Sequence, residues 1–338
     1  MKKGGKFFVL LVLLALISFM SGWTAREVSA AVDEKAAAAK TGENGGKEGA
    51  KEEGKEDGCP PTFGPIITDT AVPIETGKFA IQPTYGYTFV TQAFNRRWQR
   101  ESAGGSFRSF TMQYKLTLGL WDNLEGFIVL PFIANWANNV AESGPNGERS
   151  GTQGGLGDIN LTLKYRFVEE GAGWKPNVTA LFATNFPTGR FRGLNPNKLG
   201  LDAFGGGAYV FTGGLNASKC VKPWVFYGNL WYSMQTAYTG DEGRVYPRDF
   251  ITANLAAEYI FPRNNKWVAL LELTSFWDTS RLFGQDPNVP QSAKLSILPG
   301  IEYMATDRLA FALGVNVDLT GKNTDATVTP LFSFVVAF

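Results

Sequence analysis

Beyond Lys78, apolar and polar residues alternate along most of the chain with a period of two. In the clearest stretch, 158–167, every second position is apolar, and the positions between them carry charged or polar side chains. This alternation predicts β-strands with one apolar and one polar face. The third such stretch is apolar on both faces and the sixth is glycine-rich, which leaves their orientation open. The predicted strands are 79–92, 107–120, 124–136, 156–168, 176–187, 202–213, 223–235, 249–261, 266–277, 292–304, 308–319 and 326–338.

The connections between these strands alternate in length. Short turns are expected at 121–123, 262–265 and 305–307, and a modest loop is expected at 320–325. Long polar loops are expected at 93–106, 137–155, 188–201, 236–248 and 278–291. Outer-membrane barrels have short periplasmic turns and long external loops, whereas a soluble β-sandwich has no reason to keep this parity. The chain is therefore predicted to be all-β: a transmembrane, antiparallel, up-and-down β-barrel of about twelve strands in the outer membrane.

Aromatic residues favour the same fold. Indole rings form girdles at membrane interfaces, and six tryptophans lie near predicted strand ends: Trp121, Trp136, Trp174, Trp224, Trp267 and Trp277. The last strand ends on Phe338, with Val336 and Phe334 on the same face. This ending resembles the insertion signal of bacterial outer-membrane barrels. The barrel-assembly machinery is the partner that it implies, together with outer-membrane lipid.

The residues before the barrel fall into three segments. Residues 1–30 combine lysines, an apolar run and small residues, which predicts a cleaved secretory signal peptide rather than an uncleaved membrane helix. Residues 31–58 are rich in Ala, Gly, Lys and Glu and lack aromatic residues. They predict a disordered, low-complexity periplasmic tether, either a plain spacer or a contact for a periplasmic partner. Residues 59–77 form a pre-barrel segment and 78–338 form the barrel. Either the loops or the pre-barrel segment are expected to occupy part of the lumen, which makes the segment a candidate plug.

The amino-acid composition disfavours several classes of catalytic and binding site. The chain contains no histidine, which disfavours Ser-His, Asp-His and Cys-His catalysis as well as histidine-ligated metals. A formal charge of +1 gives no reason to expect nucleic acid as a partner. No cofactor or metal is expected. One enzymatic alternative remains, in which Glu258 and Glu272 on neighbouring strands act as a carboxylate pair, but pairing with lumen cations is favoured.

Charged side chains on the strands are expected to face the lumen, because a lysine or arginine facing lipid at the midplane costs about 2–4 kcal/mol. Both signs are present, which predicts a narrow polar channel with weak ion selectivity. Tyr227 and Trp231 either stack on an aromatic solute or pack structurally. The predicted lumen and transport residues are Lys115, Asp158, Asn160, Lys164, Arg166, Tyr227, Asn229, Trp231, Glu258, Glu272, Lys294 and Glu302.

Two of the long external loops are basic. Arg96, Arg97 and Arg100 lie in the first, and Arg190 and Arg192 lie in the third. They are expected either to contact lipopolysaccharide phosphates or to form a vestibule that attracts anionic solutes.

Only two cysteines are present, and the predicted topology places both on the periplasmic side. Cys59 ends the tether, and Cys220 is assigned to a turn at 213–222. Because the periplasm is oxidising, a Cys59–Cys220 disulfide that pins the pre-barrel segment is predicted. Two separate thiols are the alternative.

Several short motifs carry a resemblance to a family. Gly155-Leu156-Gly157-Asp158 opens a predicted strand that ends on Lys164-Tyr165-Arg166-Phe167. Asn185-Phe186-Pro187-Thr188-Gly189 ends the next strand, and Leu270-Leu271-Glu272-Leu273 follows later. In this order, over roughly 65–338, the chain resembles the outer-membrane transporters named for the meta-cleavage pathway of phenol degradation. The resemblance implies a β-barrel with an aromatic-pathway context. The chain has Thr68-Asp69-Thr70-Ala71 where that family tends to have an Asp-Arg-Pro-Asp-like opening.

These patterns together predict an outer-membrane channel that passes small molecules, with aromatic or organic-acid solutes as candidates. A closed barrel that serves as a structural or partner-binding protein is the alternative. The two differ in whether the lumen is open to solutes.

Overall fold

Twelve long antiparallel strands form the fold in the computed structural model, which describes residues 62–279 and 290–338. Each strand is hydrogen-bonded to the next, and the last pairs with the first, so the sheet closes into a barrel. The predicted fold class is confirmed. The strands are β1 (Phe79–Phe94), β2 (Ser106–Trp121), β3 (Leu124–Asn138), β4 (Ile159–Val168), β5 (Asn177–Phe186), β6 (Val210–Val221), β7 (Trp224–Gln235), β8 (Asp249–Ile260), β9 (Trp267–Thr279), β10 (Ala293–Thr306), β11 (Leu309–Lys322) and β12 (Thr324–Ala337).

Short elements extend the wall on one side of the barrel. Gly151–Leu156 pairs with the end of β3 and continues the line of β4. Tyr238–Gly240 and Gly243–Val245 form a small hairpin between β7 and β8. Pro196–Lys198 forms a single 3-10 turn. In the described ranges, no helix has the length and apolar character needed to cross a bilayer.

The period-two alternation separates the two faces of the wall. Along β4, Leu161 and Tyr165 are exposed on the outside, whereas Thr162 and Lys164 between them are buried inside the barrel. Along β2, Leu116 and Leu118 are exposed on the outer face. The outer surface therefore carries the apolar side chains that lipid requires, and the polar side chains meet one another in the lumen.

The parity of the connections matches the prediction. At one end the strands are joined by short turns, such as 122–123 between β2 and β3 and 222–223 between β6 and β7. At the other end lie the long connections, including 187–209 and 236–248. The connection between β11 and β12 is shorter than expected, because it consists of Asn323 alone. The end with the long loops is taken as the extracellular side.

The C-terminal residue completes the closure of the barrel. The Phe338 backbone amide donates a hydrogen bond to the Phe79 carbonyl at 2.8 Å. The two rings stack with centroids 4.6 Å apart. An aromatic end to the chain therefore contributes to the seam between β1 and β12.

The sixth strand corrects the prediction. It was expected at 202–213 but spans Val210–Val221, so Gly205, Gly206 and Gly207 lie in the extracellular loop and not in a strand. The Gly213-Gly214 pair suggested a turn, but both glycines lie within β6. A Cβ at Gly214 would lie 2.7 Å from the Leu230 carbonyl oxygen and would also overlap the Trp231 side chain. Glycine is needed there for the close approach of β7 rather than for a turn.

Cys220 therefore lies in β6, close to the periplasmic end of the strand, and not in the predicted turn. It is disulfide-bonded and packs against a buried apolar cluster that includes Val225 and Tyr227. Cys59 lies outside the described residues, so the pairing of Cys59 with Cys220 stays a prediction.

Other predictions also fall on residues that the structure does not describe. These are the signal peptide at 1–30, the tether at 31–58 and most of the loop at 278–291. All the described residues belong to one compact unit, Cys59–Phe338.

The close approach at Gly214 predicts a position-specific effect. In the G214A variant the added methyl group meets the β7 backbone and Trp231, so the free energy of unfolding should fall by about 1–3 kcal/mol, as for other overpacked sites. Urea unfolding of the refolded protein in detergent, followed by tryptophan fluorescence, measures this change. The matched control is G213A, because a Cβ at Gly213 meets nothing within 4 Å. Equal loss in both variants would argue against this interpretation.

Candidate functional site

The lumen of the barrel holds a stretch of the chain itself. Residues 62–77, called the lumen segment here, run through the interior before β1 begins. Their backbone and side chains bond to inward-facing residues of β3 to β10. The segment leaves beside β2, where the Gly77 amide donates to the Gly119 carbonyl at 2.9 Å. A Cβ at Gly119 would lie 2.6 Å from the Glu75 carbonyl carbon, so glycine lets the backbone pass.

Glu272 is the most heavily bonded anchor of the lumen segment. Its carboxylate is fully buried in β9 and accepts hydrogen bonds from three consecutive backbone amides. The distances are 2.7 Å from Ile66, 3.2 Å from Ile67 and 2.6 Å from Thr68. Successive amides that converge on one anion form a compact anion-binding turn. A charge that was predicted to line a channel is therefore satisfied by the chain's own backbone.

Two further glutamates hold the start of the segment. Glu302 on β10 accepts hydrogen bonds from the Phe63 amide at 3.3 Å and from the Thr62 hydroxyl at 3.2 Å. The same Thr62 hydroxyl lies 3.0 Å from Glu258 on β8, so its single proton is shared between the two carboxylates, and the Tyr227 hydroxyl donates to Glu258 at 2.8 Å. The carboxylates of Glu258 and Glu272 thus anchor different parts of the lumen segment.

Asp69 lies at the centre of a four-membered charge cluster. Its carboxylate is 3.0 Å from Lys164 Nζ and 3.7 Å from Lys115 Nζ. Lys164 also pairs with Glu125 at 2.9 Å, and Asn216 donates to Asp69 at 2.8 Å. Burial raises the pKa of Asp69, but the two lysines and the hydrogen bonds outweigh burial and lower the pKa below its ordinary value. Asp69 therefore stays ionised and links β2, β4 and β6 through one side chain.

Further side chains of the wall bond to the backbone of residues 69–74 and complete the attachment. Asn229 accepts from the Asp69 amide at 2.9 Å and donates to the Asp69 carbonyl at 2.8 Å. Lys164 Nζ donates to the Thr70 carbonyl at 2.8 Å, and the Thr179 hydroxyl donates to the Ala71 carbonyl. The Ile74 amide donates to Glu125 at 2.8 Å. Backbone groups that would otherwise be unpaired in the lumen thus find partners on the wall.

The lumen segment separates cavities on its two sides. The first outer cavity, of ≈ 370 Å³, reaches Asn185 and Ser233 near the extracellular strand ends. A second outer cavity, of ≈ 620 Å³, lies against β7 to β11. The inner cavity, of ≈ 370 Å³, reaches Ala80 and Ala337 near the periplasmic ends. Five residues line both the first outer cavity and the inner cavity and so mark the constriction: Phe63, Gly64, Thr70, Gln82 and Lys115.

The remaining predicted lumen residues on strands are also paired. Trp231 lines both outer cavities and donates through its indole nitrogen to Asn216 at 2.7 Å. Lys294 lies in the second outer cavity and pairs with Asp318 at 2.9 Å. Asn160 lines the first outer cavity. Arg166 lies towards the periplasmic end of β4, where its guanidinium donates to Asn123 at 2.6 Å.

Asp158 is predicted to lie on a strand, but the structure places it outside one. It precedes β4, and its carboxylate accepts hydrogen bonds from the Gly189 amide at 2.9 Å and the Gly206 amide at 2.7 Å. Both donors belong to the loop 187–209. Asp158 therefore fastens this extracellular loop, and its contacts do not place it in the transport path.

The predicted basic residues are exposed on the extracellular loops. Arg100 donates to the Asp318 carbonyl at 3.1 Å, and Arg190 lies 3.6 Å from Asp202. Asp241 in the neighbouring loop accepts the Gly193 and Leu194 amides, and these hydrogen bonds lower its pKa. The loop 187–209 is thus held at several points. Arg192 in this loop and Arg96 and Arg97 in the first loop are exposed at the surface.

Sequence reasoning placed most of the wall anchors in the lumen but missed that they hold the lumen segment; the correctly placed anchors are Lys164, Asn229, Glu258, Glu272 and Glu302. Asp69 and Glu125 were not singled out as partners of Lys164, although each is an acid next to or within the barrel region. The available signal was an excess of inward acids on β8 to β10 without basic neighbours. Such acids require hydrogen-bond donors from elsewhere.

Comparison with known proteins assigns the family. Residues 77–329 match the family described as "Putative MetA-pathway of phenol degradation", and the chain belongs to it, which confirms the resemblance. The fold is similar to that of an outer membrane channel from Pseudomonas putida F1, with a TM-score of 0.66 and 15% identity over 82% of this chain and 100% of that chain. The translocator domain of the autotransporter NalP from Neisseria meningitidis gives a TM-score of 0.46 and 14% identity over 78% and 90%. No curated protein matches the chain.

The amide contacts of Glu272 predict how the lumen segment is held. In the E272Q variant one acceptor oxygen becomes a donor that faces other donors, so at least one charge-assisted hydrogen bond is lost, typically worth about 1.5–3 kcal/mol. Hydrogen exchange at Ile66, Ile67 and Thr68 should accelerate by roughly tenfold or more. The control is E169Q, since Glu169 is exposed and pairs with Arg166 outside the segment. Unchanged protection in E272Q would contradict this role.

The two amide contacts of Asp158 predict a local effect on the loop. In the D158A variant the loop 187–209 loses two anchors, while the strands keep their pairing. Trypsin should then cleave after Arg190 or Arg192 faster than in the unaltered protein, because proteolysis follows local opening. D307A, in a periplasmic turn, serves as the control. Resistance of the D158A loop would show that its other contacts suffice.

Proposed function

We propose that the chain is an outer-membrane channel for small molecules in which the lumen segment forms the constriction. The observation that carries this proposal is the pair of cavities that approach the lumen segment from opposite ends of the barrel. They meet at Phe63, Gly64, Thr70, Gln82 and Lys115. A solute that enters from outside therefore reaches the periplasmic side by passing between the lumen segment and the wall of β1 and β2.

The family and the fold support this proposal. The barrel has the apolar exterior and polar interior of outer-membrane proteins, and a protein of the same fold is described as an outer membrane channel. The family description adds a phenol-degradation context, which makes aromatic compounds and organic acids the first solutes to test. Diffusion past one or a few weak binding groups is the mechanism that the lumen supports.

Transport is preferred over catalysis as the role of the buried acids. Glu258 Oε2 accepts hydrogen bonds from Thr62 and Tyr227, Glu272 accepts backbone amides of the lumen segment, and histidine is absent from the sequence. The proposed role for these acids is to hold the constriction in place.

The barrel is proposed to lie in the outer membrane. We infer outer-membrane insertion after cleavage of the signal peptide at 1–30, with 31–58 as a periplasmic tether that reaches a periplasmic partner. Arg96, Arg97 and Arg192 are proposed to meet lipopolysaccharide phosphates. Sequencing the N-terminus of the protein isolated from outer membranes tests the cleavage at Ala31.

A closed barrel is the second candidate, and one observation favours it. The lumen segment is bonded to most of the strands that surround it, an arrangement that also suits a permanent plug. The closed barrel would act as a structural or partner-binding protein.

Single-channel recording in a planar bilayer separates the two candidates. The refolded protein should give small, discrete conductance steps, and E272A should give larger steps because it both frees the lumen segment and removes side-chain volume. G213A, on the lipid-facing side, should match the unaltered protein. A barrel that inserts stably and gives no steps, with or without E272A, would favour the closed candidate.

A further inference from the structure

One lysine of the central charge cluster differs from the other in its access to solutes. Lys164 is 0% exposed and its partner Glu125 is 5% exposed, whereas Lys115 is 26% exposed. Lys115 also lines both the first outer cavity and the inner cavity. The positive charge that a passing solute meets at the constriction is therefore that of Lys115.

The ammonium of Lys115 retains capacity to bind an anion. Its distance of 3.7 Å to Asp69 is too long for a hydrogen bond. Asp69 has Lys164 at 3.0 Å and Asn216 at 2.8 Å as nearer partners, so Lys115 is the most loosely held member of the cluster. Lys115 Nζ instead lies 4.2 Å from the centre of the Phe127 ring, which holds the ammonium at the cavity wall by a cation–π interaction.

The first outer cavity combines this cation with aromatic walls. Of the described residues that line it, Lys115 and Asp69 are the charged ones, and Phe63, Phe127, Trp231 and Phe250 are aromatic. Its volume of ≈ 370 Å³ falls within the range typical of small-molecule sites, about 300–1,000 Å³. Apolar aromatic walls with one available cation are complementary to a ligand with an apolar ring and a single negative charge.

We propose that Lys115 binds the carboxylate of a small aromatic monocarboxylate in the first outer cavity. This inference rests on the proposed channel function and gives that channel a solute-binding residue at its constriction. The aromatic ring of the ligand lies against the aromatic walls, and its carboxylate replaces water at Lys115. A dianion is disfavoured, because its second charge would lie near Asp69 with no further exposed cation among the described lining residues.

The charge of the ligand separates this site from general apolar binding. Benzoate and benzamide have nearly the same shape, but only benzoate carries a charge. Both should contact the aromatic walls, whereas only benzoate forms an ion pair with Lys115. Binding of the two compounds to the full-length protein in detergent is measured by isothermal titration calorimetry, which does not require an open pore.

Benzoate is expected to bind at least tenfold more tightly than benzamide. K115M should remove this difference, and K115R should keep it because the charge remains. K266M is the control, since Lys266 is exposed in the periplasmic turn between β8 and β9; it should bind benzoate like the unaltered protein. K115R tests whether any substitution at this position disturbs the site. Folding of every variant is checked by comparing the gel mobility of heated and unheated samples, because a folded barrel migrates differently from the unfolded chain.

Equal affinity for benzoate and benzamide would overturn the inference, as would unchanged benzoate binding in K115M. Planar-bilayer recordings with benzoate test conduction, so that benzoate binding at Lys115 and the proposed channel function can fail independently. Selective benzoate binding without any conductance would retain the Lys115 site and reject the channel. Conductance that benzoate does not reduce, together with no selective binding, would retain the channel and reject the Lys115 site.

Discussion

Backbone hydrogen bonding in lipid is the constraint on which this structure depends. A strand surrounded by hydrocarbon has no water to satisfy its amides and carbonyls, so every strand must pair on both edges. The pairing of β12 with β1 meets this requirement for the whole sheet, and the Phe79–Phe338 contact lies at that seam. Once the sheet is closed, the alternation of side chains leaves each residue either towards lipid or towards the lumen. The sequence must therefore place its charges on one face, and the electrostatics of the protein are concentrated in the interior.

The interior has a surplus of acids over bases on β8 to β10, and the lumen segment offsets it. Glu302 and Glu272 accept hydrogen bonds from the backbone amides of Phe63, Ile66, Ile67 and Thr68. These acids are therefore stabilised by neutral donors of the chain itself and not by mobile counterions. In the middle of the segment the arrangement is reversed, because Asp69 supplies an anion to Lys164. Hydrogen bonds and ion pairs thus hold the segment to the wall at many points, which explains how a stretch without regular secondary structure can lie in a defined position.

The sequence predicts the parts of this structure that depend on local patterns. Strand alternation and the parity of loop lengths are local, and both hold for nearly all of the barrel. The prediction misplaces the sixth strand because Gly213 and Gly214 have the composition of a turn, whereas Gly214 is required by the close approach of the adjacent β7. The path of the lumen segment is not predictable in this way, because Glu272 and the amides it binds are about two hundred positions apart. No periodicity links such residues, and only the deficit of bases near the acids hints that donors come from elsewhere.

The same reasoning explains why a list of lumen charges is not a list of transport residues. Lys115 and Lys164 have the same side chain, lie on inward faces and approach the same aspartate, so the sequence treats them alike. The structure separates them by one property, the access of the ammonium to a cavity. Lys164 has two carboxylates and a carbonyl around it and serves to fix the lumen segment. Lys115 has one distant carboxylate and an aromatic face, so its charge remains available to a solute. Most polar groups in the interior of this barrel pair with other groups of the protein. Selectivity between solutes therefore depends on the few groups that are incompletely paired.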